Sequence, residues 1–135
     1  MAEAYFNSKQ LENIDALSSG IFATKNYDGP ITWYAAKIIK ENDLVPYMSH
    51  DWQQTDLELL KKTDLFIFMK DKHLAYVKQE LDFDPDQFQI WNISDLNQFD
   101  YQDDDPKQQL VNEIKTTKQI FAKIKQKTDQ LIERF

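Results

Sequence analysis

Five consecutive large apolar residues, Leu65-Phe66-Ile67-Phe68-Met69, constrain this chain more than any other stretch. A strand built from them has no polar face, so it must be covered on both sides, as strands are in a parallel sheet with helices above and below. The run is far too short to cross a bilayer as a helix. After it, Asp71 to Leu81 places Leu74, Val77 and Leu81 on one helical stripe. A turn at Asp82-Phe83-Asp84-Pro85-Asp86 then leads to Phe88-Gln89-Ile90-Trp91, a second short strand. Strand, helix and strand in this order predict an α/β fold with a mainly parallel, open sheet flanked by helices.

The remaining segments supply the layers. Met1 to about Leu11 reads as a short helix with Phe6 inward, and Ile14 to Gly20 alternates apolar and polar residues as a strand ending at a glycine. Tyr27-Asp28-Gly29-Pro30 has turn chemistry. Thr32 to Asn42 is predicted helical, with Trp33, Ala36, Ile38 and Ile39 inward and Asn42 taking the left-handed C-terminal conformation. Asp43 to Tyr47 is expected to be a short extended piece, and Thr55 to Lys62 a helix whose Thr55 and Glu58 form a capping box. Asp105 caps a last helix running from Pro106 to about Arg134, roughly 40 Å long. Leu110, Ile114, Phe121, Ile124, Leu131 and Phe135 share its inner stripe with Thr117 and Thr128. Residues 1–135 read as a single domain.

Composition narrows the chemistry. With 41% hydrophobic residues the 135-residue chain can bury a core, and a net charge of -7 disfavours nucleic acid and anionic membrane as partners. There is no cysteine, which excludes a disulfide, a thiolate metal site or a cysteine nucleophile within these residues. Arg134 is the sole arginine, and Gly20 and Gly29 are the only glycines, so no glycine-rich phosphate cradle can be assembled from them. His50 and His73 are too isolated to suggest a metal centre, and no cofactor is expected. Asp100, Asp103, Asp104 and Asp105 offer oxygen ligands, but acids before a helix are favoured by capping and the dipole, and the glycine of a calcium loop is missing. The first residues carry no basic segment followed by an apolar one, which makes cytoplasmic the expected location.

The place to look for a site is the carboxyl end of the parallel strands. Asp95 lies four residues past Trp91, where a carboxylic acid can protonate a leaving group or can simply be a solvated loop residue. His50, in Ser49-His50-Asp51-Trp52, is a candidate to line a cleft. His73 is expected at the surface beside Lys72. Ser18-Ser19-Gly20 lacks the flanking glycines of a nucleophile elbow.

Several segments, in order, resemble the low-molecular-weight protein tyrosine phosphatase family. Met1-Ala2-Glu3-Ala4 is similar to the residues that follow the family's phosphate loop, and Ser18-Ser19-Gly20-Ile21-Phe22-Ala23 to its Ser-Ala-Gly segment. Gly29-Pro30 and the helix bearing Ala35 and Ala36 fit the next element. Thr63 to Met69 with His73 resembles the family's Ala-Asp-Leu-Ile strand and following helix. Ile90-Trp91-Asn92-Ile93-Ser94-Asp95-Leu96 resembles its Asp-Ile-Pro-Asp-Pro loop, with Asn92 and Leu96 departing from that pattern.

The resemblance implies a phosphomonoester hydrolase of phosphorylated proteins that works through a cysteinyl-phosphate, with Asp95 as general acid and with Ser19 and His50 lining the cleft. It also places Met1 just after the Cys/Arg loop. The expectation is therefore a domain incomplete at its N-terminus, lacking the first, central strand and inactive as it stands. Phosphotyrosine and phosphoarginine stay open as substrates, while arsenate reduction is disfavoured by the lack of cysteine. The alternative is a non-catalytic relative that binds or dimerises, through exposed strand edges or through a seam of Phe121, Ile124, Leu131 and Phe135.

Overall fold

In the computed structural model, which describes residues 1–25, 31–95 and 105–135, the chain is a mixed α/β protein. Its elements in order are α1 (Ala2–Asn7), α2 (Trp33–Glu41), α3 (Leu57–Lys61), β1 (Phe66–Phe68), α4 (Asp71–Glu80), β2 (Phe88–Ile90) and α5 (Pro106–Ile132), with short 3-10 turns at Ala23–Lys25 and Val45–Tyr47. The apolar run forms β1, which pairs in parallel with β2, Phe66 opposite Phe88 and Phe68 opposite Ile90. Among the described residues the sheet has these two strands. A single parallel bridge joins Gly20 to Gln54 elsewhere.

The predicted strand at Ile14 to Gly20 does not form. Those residues find no neighbouring strand, and the backbone of Ala16 is met by a side chain instead. Asn7 Nδ2 donates to the Ala16 carbonyl at 3.0 Å, and Ala16 N–H donates to Asn7 Oδ1 at 2.8 Å. One amide thus pairs with Ala16 as a strand residue would, and Gly20 reaches backbone partners in the 53–55 segment.

Helix boundaries follow capping chemistry. Asp105 Oδ1 accepts Gln108 N–H at 2.8 Å and Pro106 takes the first turn of α5, as the sequence predicts. In α3 the cap is Asp56, accepting Leu59 N–H at 2.8 Å, rather than Thr55, because a carboxylate one residue later offers the better acceptor. At the end of α2 the left-handed residue is Asp43, with φ 57°, rather than Asn42. Leu44 N–H then returns to the Ile39 carbonyl at 2.9 Å and Leu44 is buried, a Schellman closure with its apolar contact. Asn42 instead bonds the Ile38 carbonyl through its side chain at 2.8 Å. The piece predicted as extended at Asp43 to Tyr47 is this closure followed by a 3-10 turn around Pro46.

Two apolar stripes shift from their predicted positions. In α2 the buried residues are Tyr34, Ala35, Ile38 and Ile39, while Trp33 is 49% exposed, because α2 packs on α5. In α5 the buried stripe is Thr117, Ile120, Phe121, Ile124, Thr128 and Leu131. Leu110 and Phe135, placed inward by the pattern, are 45% and 61% exposed, although the Phe135 ring, past the end of α5, still meets Phe6 edge-on at 6.3 Å. Phe121, Ile124 and Leu131 pack in the core, which removes them as an exposed dimer seam.

Three clusters make up that core. Phe6, Trp91, Ile93, Ile120, Ile124 and Leu131 join α1, the segment after β2 and α5, with Ile14, Ala16, Leu65, Ile67 and Met69 packed against them. Ala4, Ile38, Ile39, Leu44 and Phe121 join α1, α2 and α5, where the Tyr5 and Phe121 rings meet edge-to-face at 5.9 Å. Leu60, Phe66, Phe68 and Val77 cover the other face of β1 with α3 and α4. The strand is covered on both sides, as its composition requires. No helix among the described residues is long and apolar enough to cross a membrane.

Candidate functional site

Segments converge at the N-terminal end of α1 and at the carboxyl end of the sheet. At the first, Glu3 is buried, an unusual position for a carboxylate unless it is paired or hydrogen-bonded. Its Oε2 accepts Ser18 N–H at 2.9 Å and the Ser18 hydroxyl as well, and its Oε1 accepts Ser49 N–H at 2.6 Å. One side chain therefore fastens the 18–20 loop and the 49–55 loop to α1.

The two loops also bond each other directly. Gly20 N–H donates to the Gln53 carbonyl at 2.9 Å, Thr55 N–H donates to the Gly20 carbonyl at 3.0 Å, and Ser19 Oγ lies 2.7 Å from Thr55 Oγ1. Gln54 reaches across through its side chain, donating to the Ile21 carbonyl at 2.8 Å.

At the carboxyl end of the sheet, Trp91 N–H donates to the Phe68 carbonyl and Ile93 N–H to the Met69 carbonyl, both at 2.9 Å. Asn92 between them turns at φ 55°. Asp95 follows, exposed to solvent, and His73 stands in the first turn of α4, half-buried rather than at the surface as expected. Burial holds the His73 imidazole below its ordinary pKa. Lys72 and Lys70 push the same way, while Asp95 and Asp71 oppose them.

Ser19 and His50 thus fall on the loops joined by Glu3, with His50 exposed beside Ser49. Among the described residues no hydrogen bond or ion pair joins Ser19, His50 or His73 to Asp95, whose charge acts on the His73 imidazole through space alone. Sequence reasoning missed Glu3, because an acid in the first turn of a helix reads as a solvated residue favoured by the dipole. Its spacing of three residues to Phe6, with Ala2 and Ala4 on either side of it, was the available signal. Of the acidic cluster before α5, Asp105 is the helix cap, while Asp100, Asp103 and Asp104 lie outside the described residues, as do the Tyr27–Pro30 turn and Leu96. No group of three or more histidine or acidic side chains among the described residues could hold a metal ion. Surface depressions at Lys78, Asp82 and Asp84 and along α5 at Val111, Ile114 and Ala122 include none of the candidate residues.

Comparison with family models, with curated proteins and with solved structures yields no match.

Proposed function

We propose that the chain is a low-molecular-weight protein-tyrosine-phosphatase-like domain that carries the leaving-group side of a phosphomonoester site and not the nucleophilic side. The observation that supports this reading most directly is Asp95, set just past the carboxyl end of β2 where that strand pairs in parallel with β1. A carboxylic acid can give its proton to the leaving oxygen when a P–O bond breaks, and in this reading Asp95 does so. The Ser18-Ser19-Gly20 loop, fastened through Glu3 to the start of α1, supports the same arrangement.

The nucleophile and the phosphoryl clamp would be a thiolate and a guanidinium, and these 135 residues contain no cysteine and only Arg134. The chain by itself is therefore expected to turn over no aryl phosphate. Joined at Met1 to an apolar strand and a Cys-to-Arg phosphate loop from a family member, it should hydrolyse one, and Asp95→Ala should slow that form by about 100- to 10,000-fold with substrate binding largely kept. A grafted chain that folds yet shows no turnover would reject the proposal. Turnover by the 135-residue chain alone would refute the reasoning from its missing thiol.

One observation favours the second reading, a non-catalytic binding or self-associating relative: β1 pairs with β2 on one side only among the described residues, which leaves its outer edge able to accept another strand. Sedimentation over a range of concentrations tests self-association, and a constant monomer mass would end it.

A further inference from the structure

The outer surface of α5 is charged unlike the rest of the chain. Six lysines stand between Lys107 and Lys127 against a single acid, Glu113, in a protein whose net charge is -7. Lys107, Lys115 and Lys118 are exposed, and among the described residues no lysine of α5 takes part in an ion pair. Glu41 of α2, whose carboxylate feels the Lys118 charge, is already bonded to Lys37 at 2.7 Å.

Beside the buried stripe of this helix, a shallow depression runs along Val111, Ile114, Lys115, Lys118 and Ala122. These residues recur three and four positions apart and so share one face. Glu113 stands two positions from both Val111 and Lys115, which turns it away from that face. Val111 is 50% exposed and its neighbour Leu110 45%. The face is therefore apolar along its floor and basic along its edge.

We propose that this strip binds an acidic amphipathic helix of another protein, about three turns long, its apolar residues seated on Val111, Ile114 and Ala122 and its carboxylates facing Lys115 and Lys118. The length follows from the helical rise, since Val111 to Ala122 spans about 16 Å. Charge selects the occupant. A second copy laid α5 against α5 would bring lysine to lysine, which works against association. A nucleic acid or an anionic bilayer would meet the negative charge of the whole chain on approach, and phosphates gain nothing from an apolar floor. A short acidic helix touches the strip alone, within the ~8 Å over which charges act at physiological salt. It also matches the apolar and the basic residues together, the usual mode of a helix laid in a groove.

The test is fluorescence anisotropy of a labelled synthetic peptide of about 14 residues, helical, with leucines at every third or fourth position flanked by glutamates, titrated with the 135-residue chain. Reversing Lys115→Glu and Lys118→Glu together should weaken binding by about tenfold, and Val111→Ser by about fivefold. A scrambled peptide of the same composition should bind less tightly than the ordered one. Exchanging its glutamates for lysines should give a peptide that prefers the reversed chain to wild type. All three positions are exposed, and circular dichroism checks that the variants keep the fold. Equal affinity of wild type and reversed chain, equal affinity of ordered and scrambled peptides, or no binding at millimolar peptide would each overturn the proposal. So would self-association in sedimentation that Val111→Ser abolishes, which assigns the strip to a second copy. Capture by phosphatidylglycerol vesicles in preference to the peptide, lost in the reversed chain, would assign it to a membrane instead and equally reject the acidic helix.

Discussion

Replacing Glu3 with alanine tests the idea that one buried carboxylate fastens two loops to α1. The substitution removes the acceptor for Ser18 N–H, the Ser18 hydroxyl and Ser49 N–H. Hydrogen bonds to a charged group contribute about 1.5–3 kcal/mol each. Ser18 and Ser49 are themselves exposed enough for water to satisfy part of what is lost, so the sum falls well short of three full bonds, at about 3 kcal/mol. With an unfolding entropy of about 2.1 cal/mol/K per residue, that corresponds to a drop of about 10 °C in Tm.

Glu3→Gln keeps the shape but turns an amide NH2 toward a backbone donor, and should cost about 1–2 kcal/mol. Urea and thermal unfolding followed by circular dichroism give both numbers. Hydrogen exchange should show the Ser18 and Ser49 amides losing protection ahead of the α5 amides. If both variants fall within about 0.5 kcal/mol of wild type, the carboxylate does not fasten the loops and the reasoning fails.

Other changes probe the rest of the fold. Thr128→Val should stabilise the protein by about 1 kcal/mol in urea, because the Thr128 hydroxyl is fully buried without a hydrogen-bond partner among the described residues. Thr117→Val should bring no such gain, since the Thr117 hydroxyl donates to the Glu113 carbonyl at 2.7 Å. Asn7→Ala, which removes the amide that pairs with Ala16, should cost about 1–2 kcal/mol and speed exchange of the Ala16 amide. Phe121→Ala leaves a cavity among Ala4, Ile38, Ile39 and Leu44 and should cost about 3–5 kcal/mol by denaturant titration. The lowered His73 pKa has a definite sign: the unfolded chain takes up this proton first, so stability from the neutral ring is present above the ordinary histidine value and lost as pH falls toward the folded one. His73→Gln should flatten that part of a Tm-against-pH curve, and an unchanged slope would count against it.

Much of the backbone was legible because single residues decide it. A pentapeptide with no polar face must be covered twice, and β1 is. Asp105 and Pro106, followed by a long amphipathic pattern, offer a cap and a first-turn proline, and α5 starts there. The misplaced caps at Thr55 and Asn42 were off by one residue, whereas two larger failures needed a partner outside their own segment. Alternation at Ile14 to Leu17 signals an extended segment, but a strand requires a neighbour, and the neighbour supplied is the Asn7 amide. A helical stripe is broad enough that contact with α5 decides whether Trp33 or Tyr34 turns inward.

The candidate site divides along the same line. Sequence alone determined that no thiolate or second arginine is available in these residues, and that an acid follows the second strand. It also required that the apolar run at Leu65 to Met69 be covered on both faces. Tertiary structure decided which groups meet: Glu3 with Ser18 and Ser49, and Ser19 with Thr55. Composition and periodicity report the environment each residue needs. Pairing between residues tens of positions apart depends on how strands and loops dock, and that is set by the packing of the whole core.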